Sequence, residues 1–249
     1  MNAGEFVLVH GWGASRASWD ALAPHLAGEG TVHMPDLPGH GQRRNIDLPA
    51  SEVAWARDLA EQVRGGTWLG WSLGGQLALR VAIDHPGEIQ RLVLIGAGAT
   101  FVTRPGWPGG VEPRLLEAFR EKVASSSEAA VQEFNAWQVA GARRARSTLA
   151  WLQQQTIQHP ASRDGLLAGL QLLKDMDLRD QLPGLDIPVL VLVGSEDRVV
   201  SPGSTRQTAA LLPNAHFEEI PGAGHAALYS HPQEICAAIE QFVQQEQAA

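Results

Sequence analysis

The chain has 249 residues, of which 44% are hydrophobic, and it carries a formal net charge of −8 at pH 7. This length and apolar content predict one α/β domain, or one domain with an insertion. No stretch approaches the roughly 18 consecutive apolar residues of a membrane span, and the N-terminus lacks signal-peptide features, so we expect a cytoplasmic protein without a membrane partner. The single cysteine, Cys236, excludes an internal disulfide and a cysteine-based metal cluster, and its surroundings predict a buried thiol on a C-terminal helix.

Short apolar runs closed by Gly, Pro or Asp alternate with helical patterns along the chain. Because such runs are typical of buried parallel strands, we predict a mostly parallel sheet of about six strands. The predicted strands are residues 5–10, 31–36, 67–71, 91–96, 188–194 and 216–221. The helices predicted around them are residues 51–64, 73–85, 203–212 and 231–245. Functional residues in such a sheet are expected at the carboxyl ends of the strands.

One long segment interrupts this alternation. It shows no strand-like run but four successive helical patterns, at 112–124, 127–140, 142–158 and 163–175. We therefore predict a core domain of residues 1–99 and 179–249, with residues 100–178 inserted after the fourth strand as a helical cap. Residues 101–178 hold nine Lys and Arg against eight Asp and Glu, a net of +1, whereas the rest of the chain carries −9. The body should repel nucleic acid, and only the cap has the charge to receive an acidic partner.

The stretch GWSLGG, residues 70–75, follows the third predicted strand and opens the next helix. Gly70 and Gly74 stand two positions before and after Ser72, where they allow a strand to turn sharply into a helix. A hydroxyl is a weak nucleophile at neutral pH, so it needs an imidazole that takes its proton and an acid that orients the imidazole. These two partners are expected at the ends of later strands.

The loops after the fifth and sixth predicted strands supply candidates for both partners. Asp197 and His225 lie in these loops, and the chain order Ser, Asp, His is typical of hydrolases with a G-x-S-x-G motif. Glu196 is the competing acid, but neighbouring loop residues usually point in different directions. His216 opens a strand and His231 precedes a helix, whereas His225 lies in a glycine-rich loop. We therefore predict that Asp197 and His225 complete a catalytic triad with the serine.

HGWG, residues 10–13, directly follows the first predicted strand. Its glycines let a backbone N–H point at a reacting carbonyl, so we predict that the N–H groups of Trp12 and Leu73 stabilise the oxyanion. A simple glycine-rich turn is the alternative for HGWG. DLPGHGQR, residues 36–43, is a second glycine turn, for which we expect a structural role.

Four motifs, LVHGWG, DLPGHG, LGWSLGG and GAGH, occur in an order that resembles the α/β-hydrolase superfamily throughout the chain. HGWG together with LGWSLGG also resembles the esterases that hydrolyse the methyl ester of pimeloyl-[acyl-carrier protein] in biotin synthesis. The resemblance implies an α/β-hydrolase fold and a serine carboxylesterase that releases methanol, needs no metal or organic cofactor, and takes its acyl substrate from acyl-carrier protein. It assigns the nucleophile to Ser72, the other triad positions to Asp197 and His225, and the oxyanion donors to Trp12 and Leu73.

Three aromatic residues are candidates for binding the acyl chain. By resemblance, Phe134 in EFNAWQ matches a cap aromatic that lines the acyl channel. Trp12 and Trp71 flank the oxyanion loop and the serine, so we predict that all three line an apolar tunnel beneath the cap. Ordinary core packing is the alternative for Trp71 and Phe134.

Three arginines in GARRARSTL are candidates for contacting the carrier protein. We predict that Arg143, Arg144 and Arg146 lie on one helix, with Arg143 and Arg146 on the same face. Acyl-carrier proteins present an acidic helix and a phosphopantetheine arm, and both suit arginine. A solvated helix face is the alternative.

Other functions of the same fold stay open at this point. Another small-ester, lactone or carbon–carbon bond hydrolase would use the same triad, because specificity resides in the cap. A binding protein that has lost turnover is a further alternative. Dehalogenases and epoxide hydrolases of this fold use an aspartate where this chain has Ser72. We expect a monomer.

Overall fold

A six-stranded sheet forms the centre of the computed structural model, which describes residues 4–248. The strands are β1 (Gly4–Val9), β2 (Gly30–His33), β3 (Thr67–Trp71), β4 (Arg91–Ile95), β5 (Val189–Gly194) and β6 (Ala215–Ile220). Their order is β2-β1-β3-β4-β5-β6, and every neighbouring pair is parallel. The predicted fold class is confirmed. The second strand ends earlier than predicted, at His33, because Pro35 has no N–H for the ladder.

Helices connect and follow the strands. They are α1 (Ala23–Leu26), α2 (Glu52–Gln62), α3 (Leu73–Asp84), α4 (Pro113–Ser125), α5 (Ser127–Gln138), α6 (Ala145–Gln158), α7 (Arg163–Asp175), α8 (Pro202–Leu211), α9 (Ala227–Ser230) and α10 (Pro232–Ala248). The pattern did not predict α1 and α9, because four residues are too few to show a helical period. Within residues 4–248, no helix combines the length and the apolar character that crossing a bilayer requires.

Apolar side chains cover both faces of the sheet. Val7 and Val9 of β1 belong to one buried cluster, whereas Phe6 and Leu8 belong to another, because successive strand residues point to opposite faces. The first cluster includes residues of α2, α3 and α7, and the second includes residues of α10. Cys236 is buried in that second cluster, on α10, as predicted. This two-sided burial explains why the strands read as continuous apolar runs.

Helices α4 to α7 follow one another between β4 and β5, where the predicted insertion lies. α4 packs against both α5 and α7, and it turns Leu116, Phe119 and Val123 inward at helical spacing. The division into a core of residues 1–99 and 179–249 and a cap of residues 100–178 stays a prediction. Its residues 1–3 and 249 lie outside the described part of the chain.

Candidate active site

Ser72 lies at the sharp turn between β3 and α3 and has a backbone φ of 55°, which non-glycine residues rarely adopt. The two flanking glycines allow this turn, because a Cβ on Gly70 would lie 2.4 Å from the Cα of Gly75. A Cβ on Gly74 would lie 2.2 Å from the carbonyl oxygen of Val9. The turn therefore projects the serine hydroxyl beyond the carboxyl end of the strand.

Ser72, His225 and Asp197 form one chain of hydrogen bonds. The distance from Ser72 Oγ to His225 Nε2 is 3.0 Å, and the distance from His225 Nδ1 to Asp197 Oδ2 is 2.8 Å. All three side chains are buried. With Nδ1 donating to the carboxylate, Nε2 is free to accept the serine proton, which is the arrangement that activates a serine nucleophile.

The Asp197 carboxylate is held in place by the backbone that follows it. Its Oδ1 accepts the N–H groups of Val199, at 2.8 Å, and Val200, at 2.9 Å, and Oδ2 remains for His225. Gly96, directly after β4, leaves room for this pair, because a Cβ there would lie 3.1 Å from His225 Nδ1 and 3.2 Å from Asp197 Oδ2. The sequence analysis missed Gly96, although its position after a buried strand was a usable signal.

The competing candidates lie away from this chain of hydrogen bonds. Glu196 is exposed. The side chain of His216 is 58% exposed on β6, with Glu246 as its nearest carboxylate. His231 bonds through Nδ1 to the hydroxyl of Ser230. In the described chain, neither histidine is hydrogen-bonded to Ser72.

The predicted oxyanion donors are the backbone N–H of Trp12, in the HGWG loop, and that of Leu73, the residue after the serine. Leu73 is the first residue of α3, where an N–H has no partner within the helix. Within residues 4–248, neither N–H is hydrogen-bonded to a protein acceptor. Both are therefore available to an oxyanion, and their role stays a prediction.

A reciprocal pair of histidines ties the two glycine turns together. His10 Nε2 accepts the N–H of Leu37 at 3.0 Å, and His40 Nε2 accepts the N–H of Gly13 at 3.2 Å. Each Nδ1 therefore carries the proton; His10 donates it to Gly11 O and His40 donates it to Pro38 O, both at 2.8 Å. This histidine clamp fixes the backbone on both sides of Trp12, and the sequence analysis did not predict it.

The clamp requires both imidazoles to be neutral. Burial, reinforced by the nearby His10, lowers the pKa of His40 from 6.5 to about 3. Burial also lowers the pKa of His10, although Asp36 opposes the shift. Protonation would place a second N–H where each ring accepts a bond, so acid is expected to break the clamp.

Replacement of His40 by glutamine is expected to change how stability depends on pH. Above pH 6.5, His40 is neutral in the folded and unfolded states, and its contribution to the free energy of unfolding is complete. Below pH 6.5, His40 is protonated in the unfolded chain but stays neutral in the folded chain. The contribution is lost at about 1.4 kcal/mol per pH unit as pH falls towards about 3. Urea unfolding at several pH values should show a difference between wild type and variant that narrows over this range. A difference constant from pH 7 to pH 4 would contradict the prediction.

Ser72 lies in the wall of a cavity of about 670 Å³, called here the acyl cavity. Trp12 and Phe134 line it with their rings 5.1 Å apart. The other apolar side chains of its wall are Phe101, Val111, Leu115, Leu116, Ala118, Phe119, Trp137, Ala140, Leu170, Leu173 and Val199. Leu115 and Trp137 are 59% and 45% exposed, so they form an apolar rim at its opening. The cavity has the size and apolar character of a site for a small organic chain.

Trp71 is not among the residues that line the acyl cavity, although it lies with Trp12 and Phe134 in the wall of a smaller cavity, and its part in binding the acyl chain stays a prediction. Its indole N–H donates to the carbonyl oxygen of His225 at 3.0 Å, and its ring packs edge-on against Tyr229. The side chain alternates with Trp68 along β3 and so belongs to the opposite face of the sheet. It therefore supports the backbone of His225 from within the core.

The three cap arginines do not share one helix. α6 begins only at Ala145, because Gly141 and Arg144 have φ values of 83° and 58°. Arg143 precedes the helix, donates its backbone N–H to Gly222 O at 2.8 Å and packs its side chain over Gly222. Arg144 donates to the carbonyl oxygen of Ser230. The expected common face of Arg143 and Arg146 is therefore wrong.

None of these arginines lines the acyl cavity, but two other cations do, Lys122 and Arg198. Lys122 pairs with Glu133, with Nζ 2.5 Å from Oε2. The guanidinium of Arg198 lies over Gly141. Within the described residues it has no carboxylate within 4.0 Å. All three predicted arginines are exposed, and Arg146 lies in the first turn of α6.

The parallel sheet, the strained serine and its chain of hydrogen bonds define a serine hydrolase type of site. The model of the alpha/beta hydrolase family matches residues 6–238, and the chain belongs to that family.

The relatives narrow the comparison further. A pimeloyl-[acyl-carrier protein] methyl ester esterase of Stenotrophomonas maltophilia is 37% identical over 240 residues, which are 96% of this chain and 92% of that protein. One of the same name from Klebsiella pneumoniae is 35% identical over 231 residues, 92% of this chain and 90% of that protein. The resemblance inferred from the motifs is confirmed.

Solved structures share the fold at lower identity. An esterase from Exiguobacterium antarcticum has a TM-score of 0.86 at 23% identity, and covers 98% of this chain and 92% of its own. A bromoperoxidase from Bacillus anthracis has a TM-score of 0.86 at 24% identity with the same coverage. Since their names differ, these structures establish the fold alone.

Proposed function

We propose that the chain is a serine carboxylesterase that hydrolyses the methyl ester of pimeloyl-[acyl-carrier protein], giving pimeloyl-[acyl-carrier protein] and methanol in biotin synthesis. The chemistry rests on the hydrogen bonds of His225 to Ser72 at 3.0 Å and to Asp197 at 2.8 Å. The substrate rests on the relatives that bear this name at up to 37% identity. In the same proposal, the enzyme is a cytoplasmic monomer without metal or organic cofactor, and its charge of −8 disfavours nucleic acid and anionic membranes as partners.

The proposed reaction has two steps. Ser72 Oγ attacks the ester carbonyl carbon while His225 Nε2 takes the hydroxyl proton, and the N–H groups of Trp12 and Leu73 bind the oxyanion. The C–O bond to methoxide breaks as His225 returns the proton, so methanol leaves and an acyl ester remains on the serine. Water then attacks that ester with His225 again as base, so that the free carboxylic acid is released and the serine is regenerated.

The acyl cavity supports a chain of several methylene groups as the substrate. Its apolar wall favours such a chain over a polar one, and it begins at Ser72, where the ester must react. The apolar rim at Leu115 and Trp137 lies at the opening, where the thioester end would leave for its carrier. A helical cap of residues 100–178, which we include in the proposal, would then supply most of the specificity.

Complementation of a strain unable to make pimeloyl thioester tests the whole proposal. Growth without biotin on the wild-type gene, and no growth on the same gene with Ser72→Ala, would support it. Absence of growth in a strain whose extract hydrolyses p-nitrophenyl esters would contradict the proposed substrate. Another ester or a lactone would then be the natural substrate.

Replacement of Arg146 by glutamate tests the carrier contact. We expect kcat/KM on a carrier-bound methyl ester to fall about tenfold at low salt and less at high salt, because an exposed charge acts mainly on encounter with an acidic partner. Hydrolysis of p-nitrophenyl acetate should stay near wild type. Arg57→Glu on α2 makes the same charge change on the core surface, where the side chain is 69% exposed, and is the control. Equal losses in both variants would mean that overall charge, and not a cap contact, governs encounter.

A further inference from the structure

A second, much smaller cavity of about 20 Å³ lies behind the aromatic wall of the site. Trp12 and Phe134 line both this cavity and the acyl cavity, so their rings separate the two. Trp71 completes the wall on the side of the small cavity. The rings of Trp71 and Phe134 lie 5.7 Å and 6.4 Å from the ring of His225, so the cavity is one side chain away from the catalytic imidazole.

Hydrogen bonds in its wall run in one direction, from Gln138 to the backbone carbonyl of Gln153, and two side-chain oxygens of the wall are left without a donor. Thr156 donates to Gln153 O at 3.1 Å, so its Oγ1 accepts from Asn135 Nδ2 at 3.3 Å. Asn135 Oδ1 then accepts from Gln138 Nε2 at 3.3 Å. Gln138 is 3% exposed, and its Oε1 has no partner among residues 4–248; the same holds for Oε1 of Gln155. Both glutamines line the cavity.

This combination selects a narrow class of ligand. Two carbonyl oxygens need O–H or N–H donors, because a buried acceptor without a donor costs free energy. A cavity needs about 10–15 Å³ to hold one water, so this one has room for one or two waters or a single methanol. A longer alcohol does not fit without movement of the wall.

We infer that this cavity, the hydroxyl pocket, holds the water that hydrolyses the acyl-enzyme and takes up the released alcohol in exchange. The acyl chain lies in the apolar cavity next to Ser72 and displaces water from that side of the ester, so water reaches the ester from behind Phe134, whose ring rotation connects the two cavities. Water oxygen bonds to the acyl carbon as His225 Nε2 takes its proton. The bond from carbon to Ser72 Oγ then breaks, and that proton passes to Oγ. Only the identity of the alcohol as methanol rests on the proposed function.

Removal of both free acceptors tests the hydroxyl pocket. In a Gln138→Leu and Gln155→Leu double variant, stopped-flow kinetics with p-nitrophenyl butyrate should show unchanged acylation and deacylation slowed about fivefold or more, so that a burst of p-nitrophenolate appears. Gln132→Leu is the matched control, because Gln132 lies on α5 and bonds to the same Thr156 at 3.4 Å but does not line the pocket. Equal loss in both phases, or in neither, would overturn the inference.

Competition by added alcohols tests the same pocket in the unaltered protein. Methanol should divert the acyl-enzyme from hydrolysis to transesterification with saturation, and ethanol and 1-propanol should do so progressively less. A linear dependence of equal slope for all three alcohols would overturn the pocket. Because p-nitrophenyl butyrate carries no carrier protein, failure of biotin complementation leaves both measurements decisive.

Discussion

Replacement of Ser72 by alanine is expected to lower kcat on short p-nitrophenyl esters by a factor on the order of 10⁶, with the fold intact. The substitution removes the one oxygen that His225 Nε2 contacts at 3.0 Å, so no nucleophile remains to form the acyl-enzyme. Steady-state kinetics and circular dichroism of the purified variant measure both parts of the prediction. Ser125→Ala, at an exposed serine of α4, is the control and should behave as wild type.

Covalent labelling gives an independent check on the same residue. A fluorophosphonate probe should modify Ser72 in the wild-type protein and leave the alanine variant unlabelled, because only a serine activated by an imidazole reacts readily. Modification of another serine, or more than a few per cent of activity left in Ser72→Ala, would move the active site elsewhere.

Replacement of Asp197 by asparagine should lower kcat by about 10⁴. The reason lies in which atom faces which partner. Oδ1 accepts N–H groups from Val199 and Val200, so only the oxygen of an asparagine can stay there and the amide NH₂ must face His225 Nδ1. Nδ1 then has to accept, the ring proton moves to Nε2, and the imidazole can no longer take the proton of Ser72.

The neighbouring residue supplies the control for this variant. Glu196→Gln changes the same kind of side chain one position earlier, at an exposed site, and activity should stay within about twofold of wild type. A large loss in Glu196→Gln with little loss in Asp197→Asn would mean that the orienting acid had been assigned to the wrong residue of the pair.

The sheet and the serine turn could be predicted from the sequence because their signals are local. A strand that is buried on both faces consists of five or six consecutive apolar residues, as in β3, where all five residues are buried. The turn at Ser72 needs glycines at fixed offsets, because the contacts that exclude a Cβ are made by the crossing strand and helix themselves. The membership of the chain in the alpha/beta hydrolase family followed from such patterns.

The order of the motifs along the chain narrowed the other catalytic candidates to Asp197 and His225. Chain order, however, does not tell how far these side chains lie from Ser72 in space. Only the parallel pairing of β4, β5 and β6 beside β3 brings these loops to within hydrogen-bond distance of Ser72. The same pairing places Gly96 against the imidazole.

Tertiary structure alone decided the histidine clamp and the positions of Trp71 and the cap arginines. His10 and His40 each bond to a backbone N–H 27 residues away, between loops that meet only because β1 and β2 are neighbours, and no local pattern encodes that contact. The helical pattern of the sequence extends over residues 142–144, but in the structure the positive φ of Arg144 excludes these residues from α6. Trp71 directly precedes Ser72 in the chain, but side chains of a strand alternate between faces, and packing places its ring against His225 and Tyr229 rather than in the wall of the acyl cavity. Periodicity and motif spacing describe how residues within a few positions of each other are arranged. Contacts between side chains from different loops or sheet faces depend on the packing of the whole chain, so local patterns do not reveal them.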